Sequence, residues 1–324
     1  VMERPTTKRM VLFSGRAHVE LAEEIAAELG ETLGEPNIQT FRNGELYCRF
    51  DDLIRGADVF IIQTHSNPIN ESIWEQLIMI DAAKRGSAKR ITAVCPYYGY
   101  GRQDRKARNR EPITAKLLAD CLTASGADRM VSIDLHAGQI QGFFDTPVDH
   151  LTAMPVLLDY LSEHAPDDLV VVSPDAGRIK VAERFSQHLG ADLAFIHKRR
   201  PKDTHGEVEA RAVIGDVDGR PCVVIDDMID SAGTIVAAAD ILKAEGATEI
   251  WCAATHAILS DPATDRLKNS EYSKVLVTNT LPIPSEKQID KLEVLSVAKI
   301  LARAIDAIFE DSSVGDLFGG ENYS

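Results

Sequence analysis

The chain runs to 324 residues, enough for two domains that each bury a core. Fifty acidic side chains against 35 basic ones give a formal charge of −15, which excludes a general binder of nucleic acid or anionic membranes. A composition of 44% hydrophobic and 26% charged residues excludes disorder and fibres. No apolar run approaches the roughly 18 residues of a membrane span, and residues 1–10 lack the apolar stretch of a secretory leader, so a cytoplasmic location is expected. Cys48, Cys95, Cys121, Cys222 and Cys252 stand far apart with no C-x-x-C pair. Small reduced side chains are therefore expected, not disulfides or a zinc site. One stretch breaks the acidic average: five of the nine residues from Arg102 to Arg110 are basic.

In chain order, residues 10–14 read as a strand and are followed by a helical stripe at Leu21, Ile25 and Leu29. Residues 59–63 lead into a stripe at Ile73, Leu77 and Ile80, and residues 90–95 into one at Leu117 and Cys121, with Pro112 suited to a first helical turn. Strands follow at 130–134 and 169–173, the latter ahead of a helix marked by Val181, Phe185 and Leu189. Further strands fall at 193–196, 222–226, 249–253 and 275–278, with Ile235, Ala239 and Leu242 marking a helix between the second and third. Several of these strands are apolar at every position, as strands of a parallel sheet buried on both faces should be. The alternation predicts an α/β protein with ligands at the carboxyl ends of its strands.

The chain also repeats. Ser14-Gly15-Arg16 leads into Ala22-Glu23-Glu24-Ile25 and Leu29-Gly30, and Ala176-Gly177-Arg178 leads into Ala182-Glu183-Arg184-Phe185 and Leu189-Gly190. Gly56 and Gly219, and likewise Gly86 and Gly246, precede matching strands, at offsets within a few residues of one another. This predicts a duplicated α/β unit, with a first domain over 1–152 and a second over 153–309. The tail from about 310 to 324 is a candidate to pack on the first domain.

Val223-Val224-Ile225-Asp226-Asp227 reads as a buried strand ending in two carboxylates, and Asp230-Ser231-Ala232-Gly233-Thr234 as a small-residue loop opening a helix. Backbone N–H groups of such a loop make an anion cradle, and the Ser231 and Thr234 hydroxyls add donors. Gly233 suits a close approach or a positive φ. Carboxylates beside a phosphate cradle suit a sugar phosphate, whose hydroxyls, or an accompanying Mg²⁺, meet the acids. An ordinary capped strand-to-helix turn is the alternative. The stretch resembles the phosphoribosyl-diphosphate loop of type I phosphoribosyltransferase-like folds. Its counterpart in the first copy, Gln63-Thr64-His65-Ser66-Asn67-Pro68, has lost both acids and the small residues, so that copy serves another purpose.

Cys95-Pro96-Tyr97-Tyr98-Gly99-Tyr100-Gly101-Arg102-Gln103 begins at a strand end, and its rings, glycines and guanidinium groups suit a nucleobase and a polyphosphate. This stretch and Arg110-Glu111-Pro112-Ile113-Thr114, with Phe41-Arg42-Asn43-Gly44-Glu45, Asp134-Leu135-His136-Ala137, Gln139-Ile140-Gln141-Gly142-Phe143-Phe144-Asp145 and Ser173-Pro174-Asp175, resemble the class I ribose-phosphate diphosphokinases. The resemblance runs in order from about residue 10 to 318.

The resemblance implies two tandem type I phosphoribosyltransferase-like domains with parallel central sheets. It implies transfer of the diphosphoryl group of Mg-ATP to ribose 5-phosphate, giving 5-phosphoribosyl 1-diphosphate and AMP for nucleotide and amino-acid biosynthesis. Phe41, Asn43 and Glu45 would contact adenine from a neighbouring subunit, and Arg102 and Gln103 would hold the nucleotide phosphates. His136 and Asp175 would lie at the Mg²⁺ site. Asp226, Asp227, Asp230, Ser231, Ala232, Gly233 and Thr234 would hold ribose 5-phosphate, and Lys198 and Arg200 would be catalytic. A cytoplasmic homohexamer is implied, with no nucleic-acid or membrane partner. The sequence departs from the family where Arg178 replaces a common second glycine. Leu53 and Gly315 replace serines of the phosphate/ADP regulatory site, which weakens the expectation of that regulation.

Overall fold

The computed structural model describes residues 8–199 and 210–315. Contacts divide these into two compact units, one of residues 8–152, 280–282 and 297–315, the other of 153–279 and 283–296.

The first unit opens with β1 (Met10–Ser14), α1 (Val19–Leu29), β2 (Leu33–Gly34) and a hairpin of β3 (Asn37–Thr40) and β4 (Leu46–Arg49). It continues through β5 (Asp58–Ile62), α2 (Ile69–Arg85), β6 (Arg90–Cys95), α3 (Thr114–Ser125), β7 (Arg129–Ile133) and β8 (Val148–Leu151). Its sheet has the order β2-β1-β5-β6-β7-β8, and every pairing is parallel. β5 is buried at all five positions. Val59 and Ile61 join Ile73, Leu77 and Ile80 of α2 and Leu118 and Leu122 of α3 in one core. Side chains alternate across a strand, which sends Phe60 to the other face and explains why these strands read as unbroken apolar runs.

The second unit comprises α4 (Met154–His164), β9 (Val170–Ser173), α5 (Ile179–Leu189), β10 (Asp192–Arg199), β11 (Ala210–Ile214) and β12 (Cys222–Ile229). α6 (Gly233–Ala244), β13 (Ile250–Ala257), α7 (Ala263–Lys268), β14 (Lys274–Thr278) and β15 (Leu292–Leu295) complete it. The order β11-β10-β9-β12-β13-β14-β15 repeats that of the first sheet strand for strand, plus β11, which pairs antiparallel with β10. The predicted duplication is thus visible in topology. It is also visible in a shared helix stop, since α1 ends at Gly30 (φ 67°) and α5 at Gly190 (φ 61°). The next amides, of Glu31 and Ala191, donate back to Ala26 and Ser186 at 3.0 and 2.9 Å, a closure that needs the left-handed conformation glycine adopts without a Cβ penalty.

α8 (Ala298–Phe309) belongs to the first unit, although the sequence places residues up to 309 in the second domain. Its apolar stripe of Leu301, Ala302, Ile305 and Ile308 is buried, and the helix packs along α1. Arg90 fixes its end, donating to the Ile308 carbonyl at 3.0 Å and pairing at 2.7 Å with both Asp311 and the buried Asp58.

All nine predicted strands are present. β2, β3, β4, β8, β11 and β15 were not predicted. β3, with the sequence NIQT, and β15, with LEVL, show why: they are short and half-exposed, with no apolar run to announce them. The five cysteines are free thiols, three of them buried. No helix among the described residues is long and apolar enough to cross a membrane.

Candidate active site

In the second unit the acidic pair lies inside a strand, not at its end. β12 continues past Asp226 and Asp227 because Met228 and Ile229 stay in register with His256 and Ala257 of β13. Asp227 is buried, its amide accepted by the Asp226 carboxylate at 2.8 Å. The chain then turns through Asp230 and Ser231 to Ala232, the residue with the left-handed backbone (φ 60°), and α6 starts at Gly233. The positive φ expected at Gly233 therefore belongs to Ala232, and a Cβ on Gly233 would meet nothing closer than 3.5 Å. Ser231 and Thr234 are exposed at the helix N-terminus, where a ligand anion would meet them. Arg266 of α7 pins the turn by donating to the Ser231 carbonyl at 2.8 Å.

β9 pairs with β12, so the loop after β9 comes out beside the acidic strand. In that loop Asp175 accepts the Gly177 amide at 2.8 Å, and Arg178 reaches across to the acids. Its guanidinium lies 2.5 Å from Asp227 Oδ2 and 3.5 Å from Asp226 Oδ1, with 18% of its side chain exposed against 7% and 17% for the aspartates. Among the described residues one guanidinium serves these two largely buried carboxylates, which leaves an excess of acid. Burial first, and then the neighbouring Asp227 carboxylate, push the Asp226 carboxyl well above the usual range, with Arg178 opposing. The upward direction prevails because one cation does not offset two desolvated acids.

Alanine at Arg178 removes that cation from a buried pair. We expect a loss of about 2–3 kcal/mol of unfolding free energy near neutral pH. The loss should grow at alkaline pH, where Asp226 gives up its proton. Urea unfolding at two pH values checks both statements.

In the first unit Tyr97 and Tyr98 are buried, the Tyr98 hydroxyl donating to the Ala115 carbonyl at 2.9 Å, so these rings hold the loop instead of meeting a base. Past them Arg102 and Gln103 are exposed. The Gln103 amide closes a turn onto the Tyr100 carbonyl (2.8 Å), and its carbonyl accepts the Ala115 amide at the start of α3 (3.2 Å). His136 flanks the same turn, 3.5 Å from where a Cβ on Gly101 would lie. Phe41, Asn43 and Glu45 occupy the tip of the β3–β4 hairpin, with Phe41 half exposed. The hairpin tip is closed by Phe41 N–H to Glu45 O (2.8 Å) and Glu45 N–H to Asn43 Oδ1 (3.2 Å). Phe41 thus lies on the surface of the hairpin turn and not in the core. Arg200 and the Lys198 side chain lie outside the described residues.

Sequence reasoning missed Arg178 as partner of the acids, and Arg266. Neither is near Asp226 in sequence, and only the strand order brings them there. Among the described residues no three His, Cys, Asp or Glu side chains converge as a metal cage. Asp175 supplies an exposed carboxylate, the hard-oxygen donor that Mg²⁺ takes together with substrate phosphates and water.

A twice-built parallel α/β sheet, with a paired-acid strand feeding a small-residue turn in its second copy, defines a protein of tandem phosphoribosyltransferase-like domains. Residues 10–126 match the N-terminal domain of ribose phosphate pyrophosphokinase, and residues 201–319 the phosphoribosyl synthetase-associated domain. The chain is 55% identical over 312 residues to the ribose-phosphate pyrophosphokinase of Streptomyces coelicolor, covering 96% of each chain. It is 52% identical over 322 residues to that of Bifidobacterium longum, covering 98% of this chain and 95% of the other. A crystal structure of phosphoribosylpyrophosphate synthetase from Mycobacterium smegmatis superposes with a TM-score of 0.89 at 52% identity, over 94% of this chain and 100% of that one. The chain belongs to the ribose-phosphate pyrophosphokinase family.

Proposed function

We infer that this chain transfers the diphosphoryl group of ATP to the anomeric hydroxyl of ribose 5-phosphate. The observation that carries this reading is the asymmetry of the duplication. The second copy keeps the paired acids and the Ser231–Thr234 turn, and the first has exchanged them for a buried polar loop beside the exposed Arg102 and Gln103.

Ribose 5-phosphate sits with its phosphate on the backbone amides at the start of α6, helped by Ser231 and Thr234, and with its ring hydroxyls donating to Asp226 and Asp227. Arg178 orients these acids toward the sugar. The anomeric oxygen attacks the β-phosphorus of ATP. A bond forms between them, the bond from that phosphorus to the α–β bridging oxygen breaks, and AMP leaves with that oxygen. Negative charge grows on the leaving phosphate, so positioning and cationic stabilisation dominate the catalysis. Arg102, Lys198 and Arg200 supply the cations, and Gln103 a neutral amide donor to the phosphates. Phe41, Asn43 and Glu45 hold adenine, reaching it from a neighbouring protomer of a homohexamer, and the exposure of Phe41 supports that reading. His136 and Asp175 are the residues that would hold Mg²⁺, which when bound neutralises phosphate charge. A cytoplasmic location follows from these substrates.

Purified protein given ATP, ribose 5-phosphate and Mg²⁺ should release AMP and 5-phosphoribosyl 1-diphosphate in equal amounts. Release of diphosphate from added 5-phosphoribosyl 1-diphosphate only when a base is supplied, with no AMP from ATP, would make it a phosphoribosyltransferase instead. By the family resemblance Leu53 and Gly315 replace two regulatory serines, so the rate should depend little on inorganic phosphate.

A further inference from the structure

The first copy's altered loop has no role in the chemistry above, yet its side chains are buried and hydrogen-bonded. Thr64, His65 and Gln76 are each at most 1% exposed. β5 and β6 are parallel neighbours, so the loops leaving their carboxyl ends lie side by side. They are stitched together at each step. The Thr64 hydroxyl accepts the Tyr97 amide (3.2 Å) and donates to the Thr280 carbonyl (2.7 Å). The His65 amide donates to the Tyr97 carbonyl (3.2 Å), and His65 Nδ1 accepts the Gly99 amide (2.9 Å).

An amide N–H only donates, so Nδ1 carries no proton and the ring is the tautomer protonated at Nε2. Nε2 then donates to Gln76 Oε1 at 2.9 Å, and the same oxygen faces Cys95 Sγ at 3.4 Å. Both ring nitrogens are used, and burial pushes the imidazole down to about 4, which keeps it neutral. The fit is tight, because a Cβ on Gly99 would stand 3.0 Å from the His65 Cβ. Three residues beyond Gly99, after Tyr100 and Gly101, the chain reaches Arg102, within the turn that Gln103 closes onto Tyr100.

We propose that the first-copy loop is a buckle, in which neutral His65 accepts the Gly99 amide and so fixes the register of the loop presenting Arg102 and Gln103 to the nucleotide. His65 is thus a positioning residue. The proposal rests on the reading that Arg102 and Gln103 hold the phosphates of ATP. A satisfied buried network of this kind rigidifies what it touches, and positioning errors are costly in phosphoryl transfer.

Steady-state kinetics and thermal unfolding of H65L, H65N and R102A test it. Leucine fills the space without an acceptor, whereas the asparagine carbonyl reaches about where Nδ1 lies. H65L should raise KM for ATP roughly 10-fold while leaving KM for ribose 5-phosphate within about twofold, and H65N should return KM for ATP to within about threefold of the original. An unchanged KM for ATP in H65L overturns the proposal, as does an equal rise for both substrates. So does an H65N enzyme that is as stable as the original yet as impaired as H65L. R102A separates the two layers: a raised KM for ATP there with a normal H65L removes the buckle alone, whereas an unchanged R102A removes the nucleotide reading beneath it.

Discussion

Alanine at Lys198 or at Arg200 should lower kcat by roughly 10³–10⁵-fold, the range set by removing a cation that stabilises charge developing in phosphoryl transfer. Ribose 5-phosphate binding should be nearly unchanged, because the acids and the α6 turn that receive it are built from other elements. The unfolding midpoint should hold as well. Lys198 lies in β10, where it pairs with Arg211 of β11, and a backbone ladder does not depend on the side chain at that position. Rapid-quench measurement of AMP, with calorimetric titration of ribose 5-phosphate, checks both halves. Near-normal turnover in either variant would remove that residue from the catalytic assignment. A loss confined to KM would make it a binding group, since an interaction made only in the transition state lowers kcat itself.

The sequence made some parts of this molecule readable and hid others for physical reasons. The stretch from Val223 to Thr234 was legible because two carboxylates after a fully apolar strand, followed by small residues, have few local explanations. The duplication was legible through Gly30 and Gly190, where left-handed backbone demands a residue type and so leaves a mark at a fixed spacing. The end of β12 was not, because two aspartates look like a strand's end and only the ladder with β13 carries the chain through them. Tyr97 and Tyr98 looked like a base platform, and their burial is a tertiary fact. Arg178 and His65 were hidden most completely. Arg178 acts on the neighbouring strand and His65 on the loop leaving one, and which strands are neighbours is set by sheet order, which no local pattern encodes. His65 stood out in sequence only as part of a loop that had lost its acids.

The cluster of Arg178, Asp226 and Asp227 makes a prediction in which stability and activity move in opposite directions. In the unfolded chain Asp226 ionises in the ordinary carboxylate range. In the folded protein burial, and then the adjacent Asp227, hold its proton to higher pH, with Arg178 opposing. Between those two values the folded state binds more protons than the unfolded state, so unfolding free energy falls as pH rises through that window. D226N removes the titration and leaves Arg178 paired with Asp227. From roughly pH 5 to pH 9 the variant's stability should therefore stay flatter than the original's, and at the alkaline end exceed it by about 1–2 kcal/mol. Turnover should fall by about 10²-fold or more, since the amide is a weaker acceptor for a ribose hydroxyl and supplies no charge. Urea unfolding across pH, together with AMP release, measures both. A variant that loses stability at alkaline pH would mean that Asp226 is held ionised by Arg178, and the excess charge assigned to this site would have to be given up.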